Sequence, residues 1–280
     1  MSTIAANPLP ERPASAFTYS LRAIPGILRT GFAQVLAYRA EMIIWMLTTN
    51  MPLVMLALWA AVARSGPVAG YTQADFTAYY LATLLVRLMT GCWVVYELTM
   101  EIRGGTLSMR LLRPIHPLLA HCLENLAAMP MRLAVASPIF ALFFYAAHAS
   151  ITRDPVLLLL LPISILGAWL IIFNIMAMVG TLALFVESAG GLFTLWLGLS
   201  SVLSGYLVPL DLFPRRVREL ALVLPFRFTL SFPVELILGR VDRWHATQLL
   251  GAQWGYVALF FAGTLLLWRA GMRRFGAFGG

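Results

Sequence analysis

The sequence has no lysine, and only 11% of its 280 residues are charged, against about 25% in an ordinary soluble domain. The missing lysine excludes one class of machine at once. A phosphate-binding Gly-x-x-x-x-Gly-Lys-Ser/Thr loop needs that ammonium at the β and γ phosphates, so the chain carries no such ATPase site. Cysteine is scarce too: Cys92 lies in an apolar run and Cys122 in a polar one, and two thiols in unlike surroundings are no disulfide framework. There is no His-Glu-x-x-His helix, no Gly-x-Ser-x-Gly turn and no pair of aspartates in facing apolar runs, which argues against intramembrane catalysis. His116, His121, Cys122 and Glu124 crowd one stretch, but their spacing fits no zinc pattern. The first 40 residues hold no apolar run followed by a small-residue cleavage site, so no signal peptide is expected and the N-terminus is read as cytoplasmic.

What the sequence does have is apolar surface: 60% of its residues are hydrophobic. A helix needs about 20 apolar residues to cross about 30 Å of hydrocarbon, because its backbone must satisfy its own hydrogen bonds there. Six segments read as crossings: 41–63, 75–98, 126–148, 156–186, 192–209 and 249–268. The fourth would reach about 46 Å unbroken, so it must tilt, project or bend near Pro162 and Gly167. Asn50 and Pro52 predict a kink in the first. The net charge of +8 comes entirely from arginines, and these form short groups at the borders of the apolar runs, as in a membrane protein and unlike a nucleic-acid surface.

Two domains are read: a leader and interfacial helix over 1–40, and a membrane domain over 41–280. Within 17–40, Leu21, Ile24, Leu28, Phe32, Val35 and Leu36 recur at helical spacing opposite arginines, the pattern of a helix lying in the headgroups. Arginine also sets the orientation. The N-terminal group, the 101–124 loop and the C-terminal group should share the cytoplasmic face. The segment after the fifth crossing conflicts with this, since it places Arg215, Arg216, Arg218, Arg227, Arg240 and Arg243 outside, beside Asp211, Glu219, Glu235 and Asp242.

The most informative stretch is Glu97 to Pro117, EltmEIRGGTLSMRLLRPIHP. Gly104 and Gly105 end one helix, Thr106 can cap another, Leu107, Leu111 and Leu112 are expected on one face of it, and Pro114 and Pro117 stop it. Such a helix suits either a groove on a partner protein or the headgroup layer. Arg87 is read as the only arginine deep in a crossing. It either lines a path and meets an anionic group, or pairs with Glu97 or Glu187, or snorkels. Asn50 and Asn174 are expected to hydrogen-bond between helices. Trp45, Trp59, Trp244, Trp254 and Trp268 are placed near crossing borders as an interfacial belt.

The run Glu101-Ile-Arg103-Gly104-Gly105-Thr106-Leu107, followed by Leu111-Leu112-Arg113-Pro114, resembles the loop between spans two and three of type-two ATP-binding-cassette (ABC) export permeases. The closest branch comprises small six-span permeases often encoded as two subunits beside one ATPase. Leu203 to Pro225, LSGYLVPLDLFPRRVRELALVLP, is similar to the family's Ser-Gly-x-x-x-Pro-x-x-x-x-Pro segment, a re-entrant helical hairpin closing span five on the outer side. The resemblance implies an all-α, six-span permease with both termini in the cytoplasm of a bacterial inner membrane. The resemblance also implies a non-catalytic subunit that binds no cofactor itself and depends on ATP and magnesium held by two copies of a cytoplasmic ATPase. A second permease, the same chain or a related one, would complete a dimer that expels a hydrophobic or amphipathic substrate: a drug, organic cation, lipid or glycan. The implied ATPase-coupling helix takes Glu101, Arg103, Gly104, Gly105, Thr106, Leu107, Leu111, Leu112 and Arg113. The implied outer gate takes Ser204, Gly205, Tyr206 and Pro209, and Arg87 and Asn50 are assigned to the pathway. The rival reading is an ion-gradient-driven secondary transporter, which would call for carboxylates within spans and an internal repeat.

Overall fold

The computed structural model describes residues 16–40, 43–44, 50–113, 115–147, 150–186 and 190–275. Among them there is no strand, only one β-bridge between Val68 and Tyr71. The helices are α1 (Ala16–Ala37), α2 (Met51–Val62), α3 (Gln73–Thr90), α4 (Val94–Arg103), α5 (Leu107–Leu111), α6 (Pro117–Ala127), α7 (Met129–Ala147), α8 (Pro155–Thr181), α9 (Gly190–Leu203), α10 (Arg215–Val223), α11 (Pro225–Thr229), α12 (Ser231–Ile237) and α13 (Arg243–Phe275). Among the described residues, four stretches are long and apolar enough to cross a membrane: Gln73–Arg103, Pro117–Ala147, Pro155–Leu184 and Arg243–Phe275. Met51–Ser65 and Gly190–Leu203 are apolar but shorter. Glu41, Trp45, Pro114, His148 and Glu187 lie outside the described residues, as does the leader up to residue 15.

Helix α8 is the hub. Helix α13 runs along it, and α3, α4, α11 and α12 pack on its remaining faces. Small residues set these distances. A Cβ on Gly180 would lie 3.2 Å from the Leu98 side chain and 3.3 Å from the Val95 backbone, so glycine lets α4 approach closely. At Gly167 the gap is filled by Gln253, a fully buried side chain of α13. Its Nε2 donates to the Ser164 carbonyl at 2.9 Å and to the Phe228 carbonyl at 2.8 Å, tying α13, α8 and α11 together. Where no water can compete, such a bond is favoured because the alternative is an unsatisfied amide.

Asn174 behaves otherwise than its sequence context suggests. Its side-chain amide donates back to Leu170 in the same helix, and it is the Asn174 backbone carbonyl that bridges to α13 by accepting from Thr264. Asn50 stands exposed ahead of α2, with Pro52 in the first turn. Proline is tolerated there because the N–H it lacks would have no helical acceptor. Trp268, expected at a border, is buried against His116, whereas Trp244 is exposed. Pro162 lies inside α8, which runs unbroken through it from 155 to 181.

The stretch Gln73–Arg103, expected as the second crossing, is two helices. Thr72 and Asp75 form a reciprocal capping box at the start of α3, satisfying two backbone donors that a helix start leaves open. The backbone leaves helical geometry at Gly91, Cys92 and Trp93, and α4 then continues to Arg103. Nearly all of α3 from Phe76 to Thr90 is buried, so it forms the inner wall of the bundle.

Candidate functional site

Two regions, at opposite ends of α3–α4, gather the polar groups. At one end the chain leaves α4 through Gly104 and Gly105. Gly105 adopts φ +72°, a backbone state that costs side-chain-bearing residues but not glycine. Helix α5 follows. Thr106 occupies its N-cap position without a capping bond, and Ser108 Oγ instead donates to the Gly105 carbonyl at 2.7 Å. The three leucines do not share a face. Leu107 is fully buried in the cluster formed with Val95, Leu98, Leu118 and Trp169. Leu111 and Leu112 are 38% and 82% exposed, beside Met109 at 67%. One turn of helix therefore has an anchored side and a bare apolar side, edged by the exposed Arg103 and Arg113. Pro117 does not stop this helix; it opens the next one, with Ile115 already buried between them.

Ion pairs pin the anchored side. Arg110 donates to Glu101 at 2.7 Å and to Glu124 at 2.9 Å, bridging α5 to α4 and α6. Burial disfavours its charge, but the bonds to the two carboxylates prevail and hold its pKa above the usual arginine value. Beneath it His121 is wholly enclosed, with Nε2 3.2 Å from Glu101 and Nδ1 3.3 Å from Glu97. Behind α6 lies α1, whose Ile24, Ile27 and Leu28 pack on Ile115, Ala120 and Leu123. Gly31 brings its backbone within reach of the Ala127 methyl.

The Arg110 bridge makes a testable difference. Charge-assisted bonds of this kind are worth about 1.5–3 kcal/mol, so Arg110→Ala is expected to raise amide hydrogen exchange over 107–113 by about ten- to hundredfold. Arg110→Lys, which keeps the charge but not the fork, should fall between. Unchanged exchange in both variants would mean that Leu107 alone holds α5.

At the other end of α3 lies the turn after α9. Ser204 is buried and Gly205 adopts φ +85°. Two neighbouring tyrosines hold this turn by its backbone: Tyr79 donates to the Gly205 carbonyl at 2.7 Å and Tyr80 to the Leu207 carbonyl at 2.8 Å. A Cβ on Gly205 would stand 2.5 Å from the Tyr79 hydroxyl, so only glycine fits. Pro209 is buried at the close of the turn, where its carbonyl accepts from Leu212. The segment beyond folds back as α10, α11 and α12, and five of its six arginines are matched. Arg215 pairs with Glu219, Arg218 with Asp211, Arg227 with Glu235, Arg240 with Asp75 and Arg243 with Asp154. Tyr71 adds a bond to Asp211 beneath the Arg240 guanidinium, 4.2 Å from its ring. A polar cavity of about 150 Å³ remains among these groups.

Residues 46–279 match the family described as ABC-2 family transporter protein. The chain belongs to this family. A comparison with curated proteins finds no match. Membership makes the chain a multi-pass membrane permease of an ABC transporter, in a family whose membrane subunits are generally non-catalytic and associate with an ABC ATPase.

In this ABC-2 permease Arg87 sits in the last turn of α3, with its guanidinium 5.6 Å from the Tyr206 ring centre. Arg87, Ser204 and Tyr206 share a small cavity, which Asn50 does not line. Arg87 is not the only deep arginine. Arg132, in the first turn of α7, is also buried, and its Nη1 has no hydrogen-bond partner among the described residues. Sequence reading missed it because Arg132 stands only six residues into the expected third crossing, near a border from which an arginine can reach the headgroups. It also missed Tyr79, Tyr80, Arg110 and Gln253, and weighed His121 only as a metal ligand. The adjacent tyrosines had a usable signal, since a buried phenol requires an acceptor; the others had none in local spacing.

Proposed function

We propose that this permease is one half of an exporter in which ATP binding on a separate ATPase drives α5 and opens the turn at Ser204 to Pro209. The observation that carries this reading is the two-sided α5: an apolar tip bare to its surroundings on a base locked to α4 and α6. A surface that receives force must be both accessible to the partner and rigidly joined to what it moves. Arg110 and Leu107 provide that joint. Helix α4 continues through the Gly91–Trp93 break into α3, whose tyrosine hydroxyls grip the Gly205 and Leu207 carbonyls. The 18 residues of α3 and 10 of α4 span about 42 Å at helical rise even without the three residues of the break, enough to connect one face of a bilayer to the other. A push at Leu112 would thus reach the turn at Gly205 through one continuous structure.

The topology in this reading is six crossings of a bacterial cytoplasmic membrane with both termini inside. The two shorter apolar helices serve as parts of the first and fifth crossings, and residues 204–237 form the re-entrant hairpin outside. The arginines after α9 then pose less difficulty than their number suggests, because five of them are engaged by carboxylates. The complex holds two ATPase copies, which bind ATP and magnesium, and a second permease, the same or related. The substrate is hydrophobic or amphipathic and moves along the interface between the two permeases.

Isolation of the tagged chain from its native membranes in mild detergent is the direct test. It should retain a polypeptide carrying the Gly-x-x-x-x-Gly-Lys-Ser/Thr loop, in a 1:1 ratio to total permease. Recovery of the chain without any ATPase, under conditions that keep known transporter complexes intact, would overturn the exporter reading.

A further inference from the structure

We infer that the polar cavity beyond the Gly205 turn is a seat for an oxyanion of the phosphate type, held by Arg227 and Arg240. The cavity, about 150 Å³, is lined by Leu210 and Asp211, which directly follow Pro209, and by Tyr79, whose hydroxyl holds the Gly205 carbonyl. Arg227, Glu235 and Arg240 form part of its wall and also of the wall of a second recess, about 320 Å³, beside Asp242 and His245. The two arginines therefore stand where two cavities meet. They come from different elements, Arg227 from α11 and Arg240 from the turn after α12.

The carboxylates of both walls are already spent. Asp211 accepts from Tyr71 on one oxygen and from Arg218 on the other, and Glu235 likewise from Arg227 and Ser231. Asp242 takes the Trp244 and His245 backbone N–H groups on one oxygen and meets the His245 ring on the other. The arginines are not spent, although a guanidinium carries five N–H donors. Arg227 uses Nη2 on Glu235, but its Nε is sealed from solvent with no hydrogen-bond partner among the described residues. Arg240 reaches Asp75 only at 3.4 Å, against 2.6–2.9 Å in the other arginine–carboxylate pairs among the described residues. The three carboxylates outside those residues belong elsewhere in the chain. Glu11 and Glu41 flank α1, which packs on α6 beside α5, and Glu187 follows α8 at its far end from Asp154. A buried donor without an acceptor is costly, so these guanidinium groups call for oxygen from a ligand. Water would supply oxygen but no charge, and the first cavity has three arginines, Arg218, Arg227 and Arg240, against two carboxylates. A planar carboxylate fills one guanidinium fork. A tetrahedral phosphate offers oxygens to forks that converge from two directions, and the volume admits one with a few waters.

The test uses the full-length chain in dodecyl maltoside, with radiolabelled orthophosphate in equilibrium dialysis. The wild type should bind with a Kd of about 1 mM or tighter. Arg227→Gln and Arg240→Gln should each weaken binding by at least about tenfold. Asp75→Asn, which releases Arg240 but keeps an acceptor oxygen for Thr72, should tighten it by about two- to fivefold. Opposite signs at the two partners of one ion pair distinguish a binding role from a structural one, and both partners lie near the surface, so this arm stands even if Arg227→Gln fails to fold. No saturable binding below about 10 mM, unchanged binding in Arg240→Gln, weaker binding in Asp75→Asn, or equal displacement by acetate would overturn the inference. Phosphate of this kind comes free or on a lipid headgroup. Displacement by dioctanoyl phosphatidic acid at least about tenfold below the orthophosphate Kd assigns the seat to a lipid; displacement only at equal or higher concentration assigns it to the free ion. The outward position of the seat rests on the topology proposed above, whereas the binding does not. The measurement needs no ATPase, so its failure leaves the exporter reading standing, and a chain that binds phosphate but retains no ATPase removes the exporter reading alone.

Discussion

Replacing Leu111 and Leu112 together by aspartate is expected to abolish association with the ATPase while leaving the permease inserted and folded. Leu112 is bare and Leu111 about two-fifths exposed, so burying them under a partner removes apolar area worth about 1.5–3 kcal/mol for Leu112 and about 1 kcal/mol for Leu111. Two carboxylates at the same contact would also have to be desolvated, at several further kcal/mol. Together these terms predict at least a hundredfold loss of affinity, taking about 1.4 kcal/mol per tenfold. Nothing inside the permease opposes the change, because neither residue belongs to its packed interior. Leu107→Asp supplies the contrast. That side chain is fully enclosed, so its replacement should damage the permease itself and lower its thermal stability in detergent. Co-purification with the ATPase, measured beside size-exclusion behaviour, separates the two. Undiminished co-purification of the double aspartate variant would show that α5 is not the docking element.

Gly205→Ala should be the most damaging single-methyl change at the other end of the molecule. Positive φ costs an alanine about 1 kcal/mol or more. The new Cβ would also displace the Tyr79 hydroxyl, 2.5 Å away, from the Gly205 carbonyl. An acceptor buried without its donor costs about 1–3 kcal/mol, so a combined loss of about 2–4 kcal/mol is expected in unfolding measurements. Transport should fall more steeply than stability, because the turn would no longer be held to α3, while ATPase association through α5 should persist. Adding Tyr79→Phe to the alanine variant removes the colliding oxygen. If the double variant is no more stable than Gly205→Ala alone, the damage comes from the backbone angle and not from the tyrosine contact.

The two ends of α3–α4 differ in how far their sequence betrays them. The glycine pair at 104–105 and the Ser-Gly turn at 204–205 were legible because glycine at φ near +70 to +85° is a local requirement that any L side chain would violate. Which leucine of α5 is bare was not legible. Leu107 and Leu112 are five positions apart, and only the presence of Val95, Leu98, Leu118 and Trp169 on one side decides that the first is inside. The arginine-rich segment after α9 looked like a topological contradiction when only charges were counted. Its partners Asp75 and Asp154 lie 165 and 89 residues away from Arg240 and Arg243, and no local pattern could have paired them.

The amino-acid sequence by itself determined that this chain lives in lipid, that it is helical, that it holds no lysine for a phosphate-binding loop, and that its backbone turns at Gly104–Gly105 and Ser204–Gly205. Those properties follow from composition and from conformational limits that act within a few residues. Only the tertiary structure decided that Tyr79 and Tyr80 clasp a turn more than 120 residues further on, that Gln253 joins three helices, that Arg110 locks α5 to α4 and α6 while His121 ties α6 to α4, and that Arg87 meets the Tyr206 ring. Each of these depends on which groups the packed bundle brings within 3 to 4 Å of one another. In a medium without water, a polar side chain takes whatever partner the packing supplies, and that partner has no fixed distance along the chain.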